Sequence, residues 1–235
     1  MKLYLKIILI FISFPVFAQK VPENLHKHSE EFKKEIIKVT DGVYCAIGYG
    51  IANTIFIEGK DSLIVIDVQD SNESAQAVKA DFDKISKKPI KALIYTHNHS
   101  DHVAGCGGFV NENDVFDVYA HATTASLINQ QMNLLRPIIL KRSMRMFGSV
   151  LTTDEQHVNC GIGGKLNVDP HSTFTTYYRT KTFEENLKVT ISGVDLELIH
   201  APGETSDQIY VWLPKHKLLI CGDNLYKAFP NLYTI

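Results

Sequence analysis

The sequence predicts an α/β fold, on three observations. First, the chain has 235 residues, 45% of them hydrophobic and 21% charged, which suits one domain with a sizeable core. Second, two β-branched apolar runs, an amphipathic helical pattern and a third apolar run follow one another between residues 53 and 95. Third, four further strand-like runs with turn signals between them occupy residues 187–221. No internal repeat or low-complexity tract interrupts this pattern.

Taken in order, the chain begins with Lys2 and Lys6 ahead of an apolar run over 7–17, and Val16-Phe17-Ala18 precedes Gln19. This is the pattern of a cleaved secretory signal over 1–18; the apolar run is shorter than the roughly 20 residues of a spanning helix. The mature protein is therefore expected to be secreted, either extracellular or periplasmic. Residues 19–41 read as a charged lead-in, and the β-rich part starts at residue 42 with GVYCAIG. NTIFIE at 53–58 and SLIVID at 62–67, parted by Gly59-Lys-Asp, read as a hairpin. Ala75, Val78, Phe82 and Ile85 recur at helical spacing, with Ser71 or Asn72 as cap. A strand over 92–95 follows, then another over 115–120, then a helix over 123–136 that meets Pro137. Residues 140–171, with Lys141, Arg142 and Arg145 followed by Gly161, Gly163 and Gly164, look like an excursion that could wall a pocket.

Several partners and modifications can be weighed at this level. A net charge of −2 and the lack of a basic stripe with interleaved aromatics argue against nucleic acid. Cys45, Cys106, Cys160 and Cys221 permit disulfides in three pairings in an oxidising compartment. Cys45 and Cys221 sit in apolar strand-like runs and read equally as buried free thiols, while Cys106 stands four residues after His102. Asn72-Glu-Ser74 and Asn98-His-Ser100 both fit the N-glycosylation pattern. Asn72 is the plausible acceptor, since a glycan on Asn98 would obstruct its own loop.

The chemistry concentrates in THNHSDH, residues 96–102, on the loop leaving the third apolar run. His97, His99, Asp101 and His102 put three imidazoles and a carboxylate within six residues, a donor set that suits zinc. His97 and His99, two apart, share a face if the extended backbone continues. Gly105, Gly107 and Gly108 then permit close backbone approach behind the cluster. Glu204, after Ala201-Pro-Gly203, and Asp223, after Cys221-Gly222, each leave a strand end. Either acid alone reads as a turn cap. Together they stand in the order in which a second half-sheet would deliver ligands to the same edge.

The HxHxDH cluster, the later PGxT turn and the GD at a further strand end resemble the metallo-β-lactamase superfamily. Residues 53–59, 93–102, 142–148 and 231–234 are more similar to its linear alkylsulfatase branch than to its lactamases or glyoxalases. The resemblance implies an α/β fold of αββα sandwich type holding two Zn2+ ions at one edge. It assigns His97, His99 and Glu204 to one metal, Asp101 and His102 to the other, and Asp223 between them. It further implies hydrolysis of linear alkyl sulfate esters to alcohol and sulfate through a metal-bridging hydroxide oriented by Asp101. Arg142 and Arg145 are candidate substrate contacts, with solvated helix charges as the alternative.

The chain also departs from that branch. Asp223 stands where the branch often has Glu, while Glu204, in place of the His that most of the superfamily has after the Pro-Gly turn, matches a glutamate that the branch carries displaced by one position. Met146 and Phe147 lie where the branch has aromatic positions that include a tyrosine. A further histidine, a helical dimerisation region and a sterol-carrier-like domain are expected beyond the counterpart of Tyr233. Residues 42–235 are thus expected to form an incomplete catalytic domain, a homodimer arising only in a longer form. Other hydrolase substrates of the superfamily (a lactone, a thioester or a β-lactam) and a non-catalytic metal-binding fragment remain the alternative readings.

Overall fold

The structure, a computed structural model, describes residues 23–227 apart from 152, 154, 155, 168 and 179. The signal reading over 1–18 and the segment 231–234 lie outside the described residues. Among those described, no helix is long and apolar enough to cross a membrane.

Two sheets form the frame. After a short helix α1 (Glu23–Ser29), strands β1 (Glu35–Thr40), β2 (Val43–Ile47), β3 (Thr54–Glu58) and β4 (Leu63–Ile66) pair antiparallel in sequence order. Helix α2 (Asn72–Phe82) then crosses over to β5 (Ile90–Ile94). Strands β6 (Asp117–His121) and β7 (Thr180–Phe183) continue the sheet in parallel, making seven strands. The second sheet is an antiparallel meander of β8 (Asn186–Ile191), β9 (Val194–His200), β10 (Ile209–Leu213) and β11 (Leu218–Ile220).

Side-chain alternation explains the layering. Leu63 and Val65 of β4, with Leu93 of β5, face α2, where Ala75, Val78 and Phe82 pack on them and on Phe56. Ile64, Ile66, Ala92 and Ile94 point the other way, onto Leu196, Leu198, Ile209, Val211 and Leu213 of the small sheet. Because β4 is covered on both faces, all four of its residues are buried, and the sequence LIVI shows no alternation. Ser71 caps α2, its hydroxyl accepting from the Ser74 amide.

The structure departs from the sequence reading in three places. Residues 35–40 were expected in a polar lead-in and instead form β1; its half-exposed pattern concealed it. Pro137 does not end the helix over 123–136. Helix α4 (Thr124–Asn129) runs through a π turn at Gln130–Leu134, and Pro137 lies in the first turn of a new helix, α5 (Arg136–Met146). A proline there lacks only an amide hydrogen that would have had no helical partner. Asn72, read as a glycan acceptor, is the buried first residue of α2, and its amide donates to both Thr173 and Thr175 hydroxyls. It is not available for attachment. No disulfide joins the four cysteines.

Candidate metal centre

The strand ends meet at one edge. Asp67 follows β4, residues 96–102 follow β5, the turn 201–208 joins β9 to β10, and residues 221–224 follow β11. Asp101 and His102 lie on a one-turn helix α3 (Ser100–Val103). Behind it Gly105 lets the chain press on the backbone: a Cβ there would come within 2.1 Å of the Val68 carbonyl oxygen.

Five of the six side chains singled out from the sequence fall into two groups whose ligand atoms lie within 4.8 Å of one another. One is His97, His99 and Glu204; the other is His97, His102 and Asp223. A Glu204 carboxylate oxygen stands 3.9 Å from His97 Nε2 and 3.7 Å from His99 Nδ1. Around His102 Nε2, Asp101 lies at 3.4 Å and Asp223 at 3.5 Å, which brings in the sixth.

Neighbours not singled out from the sequence fix the imidazoles. Asp67 accepts the Thr96 amide and the Thr96 hydroxyl, each at 2.8 Å, and lies 2.7 Å from His102 Nδ1. The Thr96 hydroxyl, its proton spent on Asp67, accepts from His97 Nδ1 at 3.1 Å. Both rings therefore hold a proton on Nδ1 and turn Nε2 to the centre as the nitrogen available to a ligand. His97 Nε2 and His102 Nε2 are buried and have no hydrogen-bond partner among the described residues. Buried polar atoms without partners are costly, and two such nitrogens among carboxylates fit a cation, which would take the place of the His102 proton. Asp67 itself sits at φ +58, strained backbone of the kind that clusters at functional sites.

The electrostatics follow from burial and crowding. Burial, and then the neighbouring His102 and His99, hold His97 well below the usual imidazole range; burial lowers His99. Burial also pushes His102 down, but the carboxylates of Asp67, Asp101 and Asp223 win and raise it well above its usual value. Against their own burial, Asp101 and Asp223 are held low, chiefly by His102. Glu204 is pushed up to about 7 by burial and by Asp223. The Tyr226 hydroxyl joins these two acids, donating to Asp223 at 2.7 Å and facing Glu204 at 3.1 Å.

Two cavities open on the centre. One, of about 640 Å³, is lined by Asp67, Asp101, His102, Asp223 and Tyr226, with Val43, Ile55 and Ile220 beyond them. The other, of about 190 Å³, is lined by His99, Asp101, Glu204 and Asp223 together with Ile139, Leu140, Phe147, Leu166 and Phe174. The excursion over 140–171 thus does wall a pocket. Arg136 is the cation in this lining; Arg142 and Arg145, the candidate substrate contacts, are exposed residues of α5 outside it. Cys106 is not in the cluster: its thiol lies 2.8 Å from the Tyr95 hydroxyl in the core.

A two-sheet α/β sandwich with histidines and carboxylates converging at one edge is a metallo-β-lactamase type of fold with a candidate metal centre. The chain belongs to the metallo-beta-lactamase superfamily, whose family model matches residues 47–232. Within it, the chain is 36% identical over 185 residues to a linear primary-alkylsulfatase of a Pseudomonas species. It is 33% identical over 208 residues to the alkyl/aryl-sulfatase BDS1 of Saccharomyces cerevisiae. These alignments cover 76% and 85% of the chain but 34% and 32% of the relatives, so the chain spans about a third of their length. Among solved structures, the stereoselective inverting sec-alkylsulfatase Pisa1 of Pseudomonas sp. superposes with a TM-score of 0.73 at 26% identity, over 79% of this chain and 30% of that one. A metallo-beta-lactamase from Pontibacter korlensis shares the fold, with a TM-score of 0.53 at 18% identity over 80% of this chain and 70% of that one.

Proposed function

We propose that the chain carries the metal-binding and substrate-facing part of a zinc-dependent enzyme that hydrolyses alkyl sulfate esters, exported from the cytosol by its N-terminal segment. The observation that carries this reading is the largely apolar 190 Å³ cavity whose lining includes His99, Asp101, Glu204 and Asp223. A chain of methylenes fits its walls, and an anionic head would meet the centre. Names of the relatives support a sulfate ester, and the N/O donor set supports zinc.

His97, His99 and Glu204 would hold one ion, and Asp101 and His102 the other, with Asp223 between them. Bound there, divalent ions supply a water that ionises near neutral pH and a Lewis acid for the ester. The protein's own groups do the rest. Asp67 and Thr96 fix the tautomers of His102 and His97, so that neither ring competes for the water's proton through Nδ1. Asp101, at the junction of both cavities, is placed to accept a proton from a water at the centre. Apolar walls would receive the alkyl chain, and Arg136 offers the anion a countercharge.

The test, on the full-length form, is metal content by elemental analysis together with sulfate release from dodecyl sulfate, before and after chelation and zinc restoration. Two zincs per chain with chelator-sensitive release are expected. Zinc without release would overturn the sulfatase reading, and unchanged metal content in both Glu204→Ala and Asp223→Ala would overturn the ligand assignment.

A further inference from the structure

We propose that Asp207 is a positioning residue of this centre, locking together the two loops that carry its ligands; the inference rests on the metal-centre reading above. Asp207 is fully buried, and its carboxylate accepts three side-chain donors from three separate segments. Oδ1 takes the Asn98 amide at 2.6 Å and the Thr205 hydroxyl at 2.7 Å, and Oδ2 takes the Thr124 hydroxyl at 2.7 Å.

The identity of those donors gives the group its meaning. Asn98 is flanked by His97 and His99, so holding its side chain holds the strand of backbone from which both imidazoles project. Thr205 adjoins Glu204. Thr124 opens α4, and the helical stretch it starts leads to Met132, Arg136 and Ile139 in the cavity wall. One carboxylate thus ties the large sheet's ligand loop, the small sheet's ligand turn and the substrate-side wall. A main-chain bond from the Ile209 amide to the Thr96 carbonyl oxygen, 2.9 Å, runs beside it. Gln208 holds the turn from within, its Oε1 accepting the Glu204 amide at 3.1 Å.

An acceptor-only side chain fills this role without turning any donor round. An ionised carboxylate offers about four lone-pair sites and no hydrogens, so it takes all three donors; an asparagine keeps one such oxygen, and its NH2 would either oppose the Asn98 amide or make the Thr124 hydroxyl turn from donor to acceptor. Burying such a charge is unfavourable unless it is fully hydrogen-bonded, and this one is paired on both oxygens. The Asn98 side chain, spent on Asp207 and 1% exposed, is also closed to glycosylation.

The experiment is cobalt(II) titration of the metal-free chain, reading affinity and the visible absorption bands of the bound ion, for the wild type, Asp207→Asn, Asn98→Asp and the double exchange Asn98→Asp/Asp207→Asn. The exchange restores a donor facing an acceptor between positions 98 and 207 with net charge kept. Circular dichroism under chelation establishes that each variant is folded. Asp207→Asn is expected to bind cobalt about 10–100-fold more weakly with altered bands, and the exchange to recover part of both. A folded Asp207→Asn with wild-type affinity and bands would overturn the proposal, as would an exchange that recovers nothing. If Asp207→Asn does not fold, Thr205→Val decides: weakened binding supports the tie, and unchanged binding overturns it. A wild type that takes up no cobalt would sink the metal centre itself, a separate result.

Discussion

Replacing Asp67 tests whether the centre is organised from behind. Its carboxylate is 4% exposed and serves three groups: the Thr96 amide, the Thr96 hydroxyl and His102 Nδ1. Removing one partner of a buried, hydrogen-bonded charge pair costs about 3–5 kcal/mol. The Thr96 amide, left without an acceptor, adds about 1–3 kcal/mol, part of which is the same lost desolvation. Asp67→Ala should therefore lose about 4 kcal/mol, roughly a thousandfold in the folding equilibrium. Asp67→Asn, which still offers one carbonyl oxygen, should lose about half as much. Urea unfolding of the chelated protein reads the loss directly if the slope with denaturant is unchanged. A loss under about 1 kcal/mol for the alanine variant would refute the argument, because a buried anion serving three donors cannot be removed so cheaply.

Other outcomes follow from the same geometry. Glu204, with its carboxyl raised from 4.5 to about 7, keeps a proton in the folded state that the unfolded chain has lost across that window. Its contribution to stability therefore falls as pH rises from 4.5 to 7, and Glu204→Gln should flatten that part of the chelated protein's stability profile; parallel profiles would contradict it. Phe82 is 1% exposed and stacks on Phe56 with ring centroids 3.8 Å apart. Phe82→Ala should cost about 3–5 kcal/mol in the same assay, against which a loss below about 1 would count. At Gly105 a Cβ would meet two carbonyl oxygens, of Val68 at 2.1 Å and of Ser71 at 2.5 Å. Gly105→Ala should destabilise by about 1–3 kcal/mol or more, and a thermal midpoint matching the wild type would show that the loop yields.

What the sequence revealed depended on how local each feature was. His97, His99, Asp101 and His102 announce themselves because six residues hold them all. Glu204 and Asp223 are each ordinary turn acids, and became ligand candidates only through their order in the chain and the resemblance. Asp67, Thr96, Tyr226 and Asp207 were missed because their meaning comes from partners across the fold: Asp67 meets Thr96 and His102 29 and 35 positions on, and Asp207 meets Asn98 at a separation of 109. A signal for Asp67 was available, since it is an acid closing a fully apolar strand, as Asp223 nearly is. Strand β1 escaped because Ile37 and Val39 stay substantially exposed, and β7 because four residues with one aromatic carry little pattern. Arg142 and Arg145 drew attention as a basic cluster, whereas the cavity wall takes Arg136, one helical turn and a half earlier.

That the converging side chains come from both sheets has a mechanical consequence. His97, His99 and His102 belong to the seven-stranded sheet, and Glu204 and Asp223 to the four-stranded one, so an ion shared among them is a rivet through the sandwich. Sliding one sheet over the other would then require releasing the ion, and the strength of the rivet would depend on free metal outside the protein. At a hundred times the dissociation constant the gain is about 2.7 kcal/mol, growing by about 1.4 for each further tenfold. The metal supply of its surroundings would set the working lifetime of such a protein, with starvation loosening the sandwich before any residue changes.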